Sequence, residues 1–269
     1  MVSFERELEL ASGLARQAGD EALTARHEGR VRPGTKAGGE IVTTADVRAD
    51  EIIRTGLAEA FGADALWTEE TPGRPATAQG RMWVVDPLDG TGDFVSGGDA
   101  FSVSIGLAVD GRPLLGVVYN PSRAQLVTGG AGIGAGLNGE AAGPSGRTEL
   151  AGARVTCSPR EERALADAFE RAAVGVALDP VASMAYKLAR VAVGLDDATL
   201  TLRGRKPWGV CAGVAIACAA GATVELLGGG PIRIDPREDR QPDGFVAAAP
   251  VLAGALARIV LPARPDRPS

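Results

Sequence analysis

The stretch over residues 81–94, R-M-W-V-V-D-P-L-D-G-T-G-D-F, constrains the fold more than any other part of this chain. Its apolar run, M-W-V-V, is typical of a buried strand. Pro87 fixes φ and lacks a backbone donor, so we expect the strand to end at Asp86 and the chain to turn. Gly90 lets the backbone approach a ligand closely, and the turn can bring the carboxylates of Asp86 and Asp89 together. A strand that delivers two acids to one turn is therefore predicted.

Two carboxylates on one tight turn favour a bound cation. Acids that lie close together raise each other's pKa unless a cation neutralises them. Oxygen ligands suit a hard divalent ion such as Mg²⁺. If a helical turn begins here, the free N–H groups of Gly90 and Thr91 would face an anion such as phosphate. The stretch therefore indicates a metal-assisted phosphate-ester centre.

Two other interpretations of the same residues stay open. An ordinary aspartate-rich turn has a similar D-P-L-D-G sequence. Phosphatases of the haloacid dehalogenase type carry D-x-D-G-T after a strand and use the first aspartate as a nucleophile. In this chain two residues separate Asp86 from Asp89, which changes the directions of the side chains. This second alternative ranks well below the metal-binding turn.

Charge and composition argue against several classes of partner. The 269 residues carry 28 basic and 34 acidic side chains, a net charge of −6, so a nucleic acid polymer or an anionic membrane is not a favoured partner. No apolar run is long enough to span a membrane, and charged residues interrupt the N-terminal pattern that a signal peptide needs. Cys211 and Cys218 lie seven apart on one predicted helical face, and we expect them to be reduced core residues. These features predict a cytoplasmic protein.

His27 is the only histidine, and it lies in a polar stretch. A histidine-ligated zinc centre and a Ser-His-Asp triad are therefore nearly excluded. Any chemistry has to come from carboxylates, hydroxyls, lysines and bound ions.

Hydrophobic periodicity predicts alternating helices and strands. Helices are predicted over residues 3–27, 46–61, 160–173, 181–194, 208–220 and 251–260. Strands are predicted over residues 41–46, 65–70, 82–85, 101–109, 114–119, 154–157, 198–202, 223–227 and 244–248. The alternation over 101–109 is typical of a half-buried strand, and Asp110-Gly111 predicts an antiparallel hairpin with the next strand. The G-x-G-x-x-G letters at 134–139 lie outside any βαβ unit, which argues against a dinucleotide site.

A domain boundary is predicted near Pro144. Residues 1–144 would form an α+β domain that carries the metal and phosphate motif. Residues 145–269 would form an α/β domain that completes a cleft. We therefore expect an α/β protein with its site in the crevice between the two halves.

Three further acids lie where they can reach that crevice. Asp46 falls in the first turn of a predicted helix, where a carboxylate is favoured by the helix dipole, so capping and function are equally good explanations. Glu69 and Glu70 follow a predicted strand, and side chains at strand ends often form sites. Either glutamate could reach the Asp86 turn, although adjacent acids on a surface loop are more often simply solvated.

Several separated motifs together resemble the inositol monophosphatase superfamily of Mg²⁺-dependent, lithium-sensitive phosphatases. Residues 86–91 match its D-P-[IL]-D-G-T block, residues 42–46 match V-T-x-x-D, and residues 68–70 match G-E-E with threonine for glycine. The segment 183–187 and Lys206-Pro207-Trp208 continue the match into the second half. The S-M-A-Y-K segment and the G-D-F ending of the central block lean weakly toward the branch that acts on 3′(2′),5′-bisphosphate nucleotides.

The resemblance implies a layered αβαβα fold and two or three Mg²⁺ ions. Glu69, Asp86 and the Leu88 carbonyl would hold the first ion, and Glu69 would also contact a labile third ion. Asp86 and Asp89 would hold the second. The implied partner is a small phosphorylated substrate, and a homodimer is also implied.

The same resemblance assigns catalytic and phosphate-binding residues. Thr91, hydrogen-bonded to Asp46, would orient the attacking water and help to deprotonate it. The amides of Gly90 and Thr91 would bind phosphate. Lys36 matches a loop lysine of the family only loosely.

The chain departs from the family at Gly209. The family places an aspartate after the tryptophan, and this residue completes the second metal site, whereas here Trp208 is followed by glycine. Glycine is nearly as good an N-cap as aspartate, so folding should not suffer. The second cation loses one of three anions, so we expect a weakened second metal site beside the wall formed by Trp208 and Gly209. Two hypotheses follow: a phosphomonoesterase with full or reduced activity, or an inactive homologue that binds a phosphorylated ligand or a partner.

Basic residues of the second half have simpler interpretations. Lys187 is predicted to be solvated or salt-bridged on its helix. Arg203, Arg205 and Lys206 are predicted to form a surface loop, although their position beside Trp208 could attract a second substrate phosphate.

Overall fold

A computed structural model describes residues 4–36 and 38–261, and the strand–turn stretch lies within the larger of its sheets. In these ranges the helices are α1 (Glu5–His27), α2 (Thr44–Phe61), α3 (Thr91–Val95), α4 (Glu162–Arg171), α5 (Met184–Ala192), α6 (Cys211–Ala219) and α7 (Pro250–Val260). The strands are β1 (Pro33–Thr35), β2 (Ile41–Thr43), β3 (Ala65–Thr68), β4 (Arg81–Asp89), β5 (Ser102–Val109), β6 (Arg112–Asn120), β7 (Gln125–Gly130), β8 (Gly134–Leu137), β9 (Glu140–Ala142), β10 (Arg154–Cys157), β11 (Ala177–Pro180), β12 (Ala198–Thr201), β13 (Thr223–Leu226) and β14 (Phe245–Ala248).

The strands form two main sheets and one small ribbon. The seven-stranded sheet has the order β3-β4-β5-β6-β7-β8-β9, with β3 parallel to β4 and every later pair antiparallel. The five-stranded sheet has the order β11-β10-β12-β14-β13, with β10 parallel to both of its neighbours. β1 and β2 pair as an antiparallel ribbon just before α2.

Helices and sheets alternate in five layers. α1 and α2 pack on one face of the large sheet, where Leu14 and Ile53 share a core with Trp83. α5 and α6 lie between the two sheets, and Ile216 shares a second core with Val84. α4 and α7 cover the outer face of the small sheet. This arrangement confirms the predicted layered α/β fold.

The strand β5 is buried on both faces, so the prediction of a half-buried strand over 101–109 was wrong. The large sheet has helices on both sides, which removes the solvent-facing side that the alternation suggested. Small residues occupy the face toward α6 because the helix backbone comes very close. A Cβ added at Gly106 would lie 2.8 Å from the Ala212 nitrogen, and one added at Gly116 of β6 would lie 2.1 Å from the Ala212 carbonyl oxygen.

We therefore expect Gly116→Ala to destabilise the fold by about 3 kcal/mol, because the methyl group would push α6 away from the sheet. The matched control is Gly13→Ala in the exposed face of α1, where an added Cβ meets no atom within 4 Å. That variant should be about 0.5–1 kcal/mol more stable than the wild type, because alanine favours the helix. Urea unfolding of the three proteins measures both effects, and equal midpoints for Gly116→Ala and the wild type would contradict the close contact.

The strand β4 does not end at Asp86, as the proline rule predicted, but continues to Asp89. Its pairing with β5 shifts register between these two residues, so Pro87 lies in an irregular segment where no ladder hydrogen bond from its nitrogen is required. A bulge rather than a strand end therefore presents the two aspartates.

Several smaller predictions have clear outcomes. The β5–β6 hairpin is confirmed, and the G-x-G-x-x-G letters fall on β8 and the turn to β9 rather than in a nucleotide-binding turn. Cys211 is buried as predicted, but Cys218 is exposed at the end of α6. The last strand of the large sheet ends at Ala142, and the first strand of the small sheet begins at Arg154. The division into two domains at residue 144 stays a prediction. The outer ends of the predicted domains, and residue 3 of the first predicted helix, lie outside the described residues. None of the helices in the described ranges combines the length and hydropathy needed to cross a membrane.

Candidate active site

The bulge in β4 presents the D-P-L-D-G-T block at the end of a buried strand. The Leu88 N–H donates to Asp86 Oδ1 over 3.3 Å, so the aspartate turn of the simplest interpretation is present. Gly90 has a φ of 96° and caps the short helix α3. A Cβ there would lie 2.9 Å from the Ala100 carbonyl oxygen, so both the backbone conformation and the space require glycine. The predicted helical turn after Asp89 is confirmed.

Asp46 has a capping role and a contact with Thr91 at the same time. Its Oδ2 accepts from the Thr43 N–H over 2.8 Å, which completes a capping box at the start of α2. Its Oδ1 accepts from the Thr91 hydroxyl over 2.9 Å. Burial raises the pKa of the Asp46 carboxyl, and the hydrogen bonds from Thr43 and Thr91 oppose that rise. The two explanations that the sequence left equal are therefore compatible.

Glu69 and Glu70 follow β3, next to the bulge. The Glu69 N–H donates to the Val85 carbonyl over 3.1 Å, which ties the loop to β4. Lys36 Nζ donates to Glu69 Oε1 over 2.7 Å and to Glu70 Oε1 over 2.6 Å. Burial opposes the charge on Lys36, but these two carboxylates outweigh burial and raise its pKa. Burial raises the pKa of Glu70 to about 7, against the effect of Lys36.

Asp86 is buried among the other acids of the group. Only 3% of the residue is exposed, and burial raises the pKa of its carboxyl well above the usual range. The negative charges of Glu69, Asp89 and Asp46 raise it further. All four acids that the sequence assigned to the site therefore lie close enough to act on one another.

Asp89 is held by the second half of the chain. Its Oδ2 accepts from the Ser183 hydroxyl over 2.8 Å and from the Ala185 N–H over 2.7 Å, both at the start of α5. Burial raises the pKa of Asp89, and these two hydrogen bonds lower it. Sequence reasoning did not assign Ser183 to the site, although a serine directly before an apolar helical pattern is a signal for an N-cap. That N-cap is present, since Ser183 Oγ also accepts from the Tyr186 N–H.

Trp208 and Gly209 form a wall beside Asp86. The Trp208 ring packs edge-on against Trp67 with 5.6 Å between the ring centroids, and the Ser104 hydroxyl donates to the Trp208 carbonyl over 3.3 Å. A Cβ built on Gly209 would lie 3.9 Å from Asp86 Oδ2. The side chain of any larger residue at 209 would therefore begin beside this carboxylate.

Two predictions about basic residues were wrong. Lys187 is fully buried instead of solvated, because Ser158 Oγ and the Val181 carbonyl accept from its ammonium over 3.0 Å and 2.9 Å. Arg205 is not a free surface side chain, since it donates to Ser158 and forms an ion pair with buried Glu161. Burial and the nearby charge of Arg205 lower the pKa of Lys187 to about 8.

The donor set fits Mg²⁺ in chemistry and charge. It offers only oxygen atoms, and its five acids exceed the nearby positive charges of Lys36 and Lys187. As the side chains are placed, no group of three or more acidic, cysteine or histidine residues in the part of the chain described here is positioned to hold a metal ion. The ammonium group of Lys36 lies between Glu69 and Glu70 and neutralises part of their charge. A buried cluster with surplus negative charge is a site that a cation would stabilise.

Comparison with known proteins gives the family. The sequence model of the inositol monophosphatase family matches residues 4–263. The histidinol-phosphatase of Chlorobaculum parvum is 32% identical over 222 residues, 82% of this chain and 76% of that protein. Inositol monophosphatase 2 of Solanum lycopersicum is 35% identical over 199 residues, 69% of this chain and 74% of that protein.

A solved structure shows the same fold. The extragenic suppressor protein suhB of Bartonella henselae superposes with a TM-score of 0.82 at 26% identity, over 95% of this chain and 98% of that one. The family resemblance of the sequence motifs is thereby confirmed. The chain belongs to the inositol monophosphatase family, whose members are generally Mg²⁺-dependent, and it is a phosphoric monoester hydrolase that acts on small phosphorylated metabolites.

Proposed function

We propose that the protein hydrolyses an inositol phosphate or a 3′(2′),5′-bisphosphate nucleotide with Mg²⁺ and a water molecule activated at the β4 bulge. The observation that carries this proposal is the hydrogen bond from Thr91 to Asp46 beside the carboxylates of Asp86 and Asp89. It joins a potential proton acceptor to a cation-binding cluster in one buried place.

The residues that would hold the ions are those of the bulge and its neighbours. Glu69, Asp86 and the Leu88 carbonyl supply oxygens for a first ion, and Asp86 and Asp89 supply oxygens for a second. Lys36 donates to Oε1 of Glu69 and would compete with an ion for that oxygen. Glu69 would also contact a third ion. Bound Mg²⁺ supplies a water of lowered pKa and neutralises charge on the phosphate.

Thr91 and Asp46 would accept the proton of the attacking water. The Thr91 hydroxyl has one hydrogen, and both Asp46 Oδ1 at 2.9 Å and the Leu88 carbonyl at 3.0 Å can accept it. When the Leu88 carbonyl is engaged elsewhere, Thr91 donates to Asp46 and its oxygen is free to accept from water. As the water oxygen bonds to phosphorus, the water proton passes to the Thr91 oxygen and the Thr91 proton passes to Asp46. The ester bond breaks, and the leaving alkoxide takes a proton from a solvent water. The amides of Gly90 and Thr91 would bind the phosphate oxygens.

Purified protein tests this proposal with Mg²⁺ and a panel of inositol phosphates, bisphosphate nucleotides and sugar phosphates. We expect phosphate release from at least one member, at a rate well above that of Asp86→Asn. Equal release by the wild type and this variant on every substrate would contradict it. The homodimer stays a prediction, and sedimentation velocity measures it directly.

A second candidate function rests on Gly209. A chain that lacks one anion of the second ion site would bind a phosphorylated ligand or a partner without turnover. The acids of the first ion site are all present, which favours the enzyme. Calorimetric titration with Mg²⁺ and with Ca²⁺ separates the two, because the binding protein should show one weak binding event or none.

We expect Gly209→Asp to lower the Mg²⁺ concentration for half-maximal activity by about tenfold, the effect of about 1.4 kcal/mol of added binding. The Cβ of the new side chain would lie 3.9 Å from Asp86 Oδ2, so its carboxylate could share the second cation with Asp86. Gly209→Ala is the matched control, because its methyl group fits the same space without adding an oxygen. A Mg²⁺ titration of activity shows the difference, and an unchanged requirement in Gly209→Asp would mean that another group already occupies this place.

A further inference from the structure

Buried Gly209 leaves room for a small group beside Asp86. An added Cβ would meet only the Lys206 carbonyl oxygen at 3.8 Å and Asp86 Oδ2 at 3.9 Å, among the described residues within 4 Å. These are ordinary contact distances. The backbone of Gly209 is outside the left-handed region, so neither conformation nor crowding requires glycine here. A small group in this place would lie against the Asp86 carboxylate.

A positive charge accompanies this space. The Lys206 ammonium lies 5.2 Å from the centroid of the ring of Trp208, which is the residue directly before Gly209. Two other basic residues of the second half are engaged, Arg205 with Glu161 and Lys187 with Ser158. Lys206 forms no ion pair with any residue in the described ranges, so no carboxylate there neutralises its charge.

The second cation site has few anionic ligands from the protein. A cation between Asp86 and Asp89 would have these two carboxylates as its anionic ligands. One oxygen of Asp89 already accepts two hydrogen bonds, from Ser183 and Ala185. Mg²⁺ keeps several waters when protein ligands are few, and an anionic oxygen of a substrate can replace one of them.

On the basis of the proposed function, we infer that the leaving group of the natural substrate carries an anionic oxygen, from a carboxylate or a second phosphate, that occupies the space in front of Gly209. This oxygen contributes to the second cation in place of a protein carboxylate and lies within reach of the Lys206 ammonium. Of the two substrate classes proposed above, bisphosphate nucleotides carry such an oxygen, whereas inositol monophosphates have a neutral leaving group and are disfavoured.

Three phosphonates with the same three-carbon chain test the inference without turnover, because a carbon–phosphorus bond replaces the ester. They are propylphosphonate, 3-phosphonopropionate and propane-1,3-bisphosphonate. Calorimetry with a fixed excess of Mn²⁺ measures each affinity, after correction for chelation by the phosphonate alone. We expect at least one of the two doubly anionic compounds to bind about tenfold or more tightly than propylphosphonate. The tighter binder of the two shows whether the anionic oxygen of the substrate belongs to a carboxylate or to a second phosphate.

Three variants test whether a preference for the doubly anionic phosphonates arises from the space at Gly209. Gly209→Asp puts a carboxylate in the space, so the doubly anionic phosphonates should bind about as tightly as propylphosphonate. Gly209→Ala adds only a methyl group and should keep most of it. Lys206→Gln should reduce the preference severalfold. Because these measurements follow binding of a compound that is not hydrolysed, they do not depend on catalytic rate.

Equal affinity of the wild type for all three phosphonates would overturn the inference, and so would a preference that is unchanged in Gly209→Asp. In both cases, binding of propylphosphonate that requires Mn²⁺ would leave the proposed function standing. If no phosphonate binds in a Mn²⁺-dependent way to the wild type or to Gly209→Asp, the proposed function fails together with the inference.

Discussion

Replacing Asp86 with asparagine is expected to reduce phosphate release by about 10³-fold or more. In the proposed site this carboxylate contacts two cations, and metal ions supply several kcal/mol of transition-state stabilisation. Asparagine keeps the shape of the side chain and the Oδ1 acceptor for the Leu88 N–H, but it removes the charge. Initial rates over a range of Mg²⁺ concentrations measure the loss, and excess Mg²⁺ should not restore the rate.

The same substitution should make the metal-free protein more stable at neutral pH. Asp86 has a raised pKa in the folded state, because of burial and of the charges of Glu69 and Asp89, whereas the unfolded chain titrates near about pH 4. The folded state therefore binds this proton more tightly. The stability that the proton contributes is fully present below about pH 4, and it is lost as the pH rises through the folded-state pKa. In the presence of a chelator, the unfolding free energy of the wild type should fall with pH more steeply than that of Asp86→Asn.

Asp196→Asn is the matched control for both measurements. Asp196 is also a buried aspartate, but it accepts from Arg190 over 3.1 Å and belongs to no proposed ion site. Its loss should leave Arg190 less well paired and lower the stability, while phosphate release stays close to that of the wild type. Wild-type activity in Asp86→Asn, or loss of activity in Asp196→Asn equal to that in Asp86→Asn, would contradict the assignment.

Short-range signals predicted the strand–turn stretch, the helices and the residues that meet at the site. Residues 42–46 contain a threonine N-cap and an acid three positions later, and D-P-L-D-G-T contains a glycine that no other residue can replace without strain. Such patterns express local hydrogen bonding and backbone conformation, which the sequence carries directly. They place Asp46, Asp86 and Gly90 correctly on their own elements.

Long-range contacts account for the predictions that failed. The half-buried pattern of β5 did not show that α6 covers its second face, more than 100 residues later in the chain. Lys187 looks like a surface residue on its helix, and only Ser158 and the Val181 carbonyl make its burial possible. Pro87 ends a regular ladder by local rules, but a register shift tolerates it. In each case a distant partner outweighs a local preference.

Thr91→Val is expected to reduce the turnover number by about a hundredfold while leaving the affinity for Mg²⁺ within about threefold. Valine has nearly the shape of threonine but cannot accept a proton from water, and positioned acid–base groups contribute about 10²–10⁴-fold. The substitution also removes one hydrogen bond from buried Asp46, which should cost about 1 kcal/mol of stability. Steady-state rates and a calorimetric Mg²⁺ titration separate the two effects.

Thr91→Ser keeps the hydroxyl and should retain activity within about tenfold of the wild type, which separates loss of the oxygen from loss of the methyl group. Asp46→Asn should reduce turnover as Thr91→Val does, and the double variant should be no worse than either single one, because the two groups act on one proton. Additive losses would instead mean that Asp46 contributes through its capping box at the start of α2, where it accepts from Thr43. Since the Thr91–Asp46 hydrogen bond is the contact that joins proton transfer to the cation-binding bulge, this cycle tests the mechanism at the point on which the rest depends.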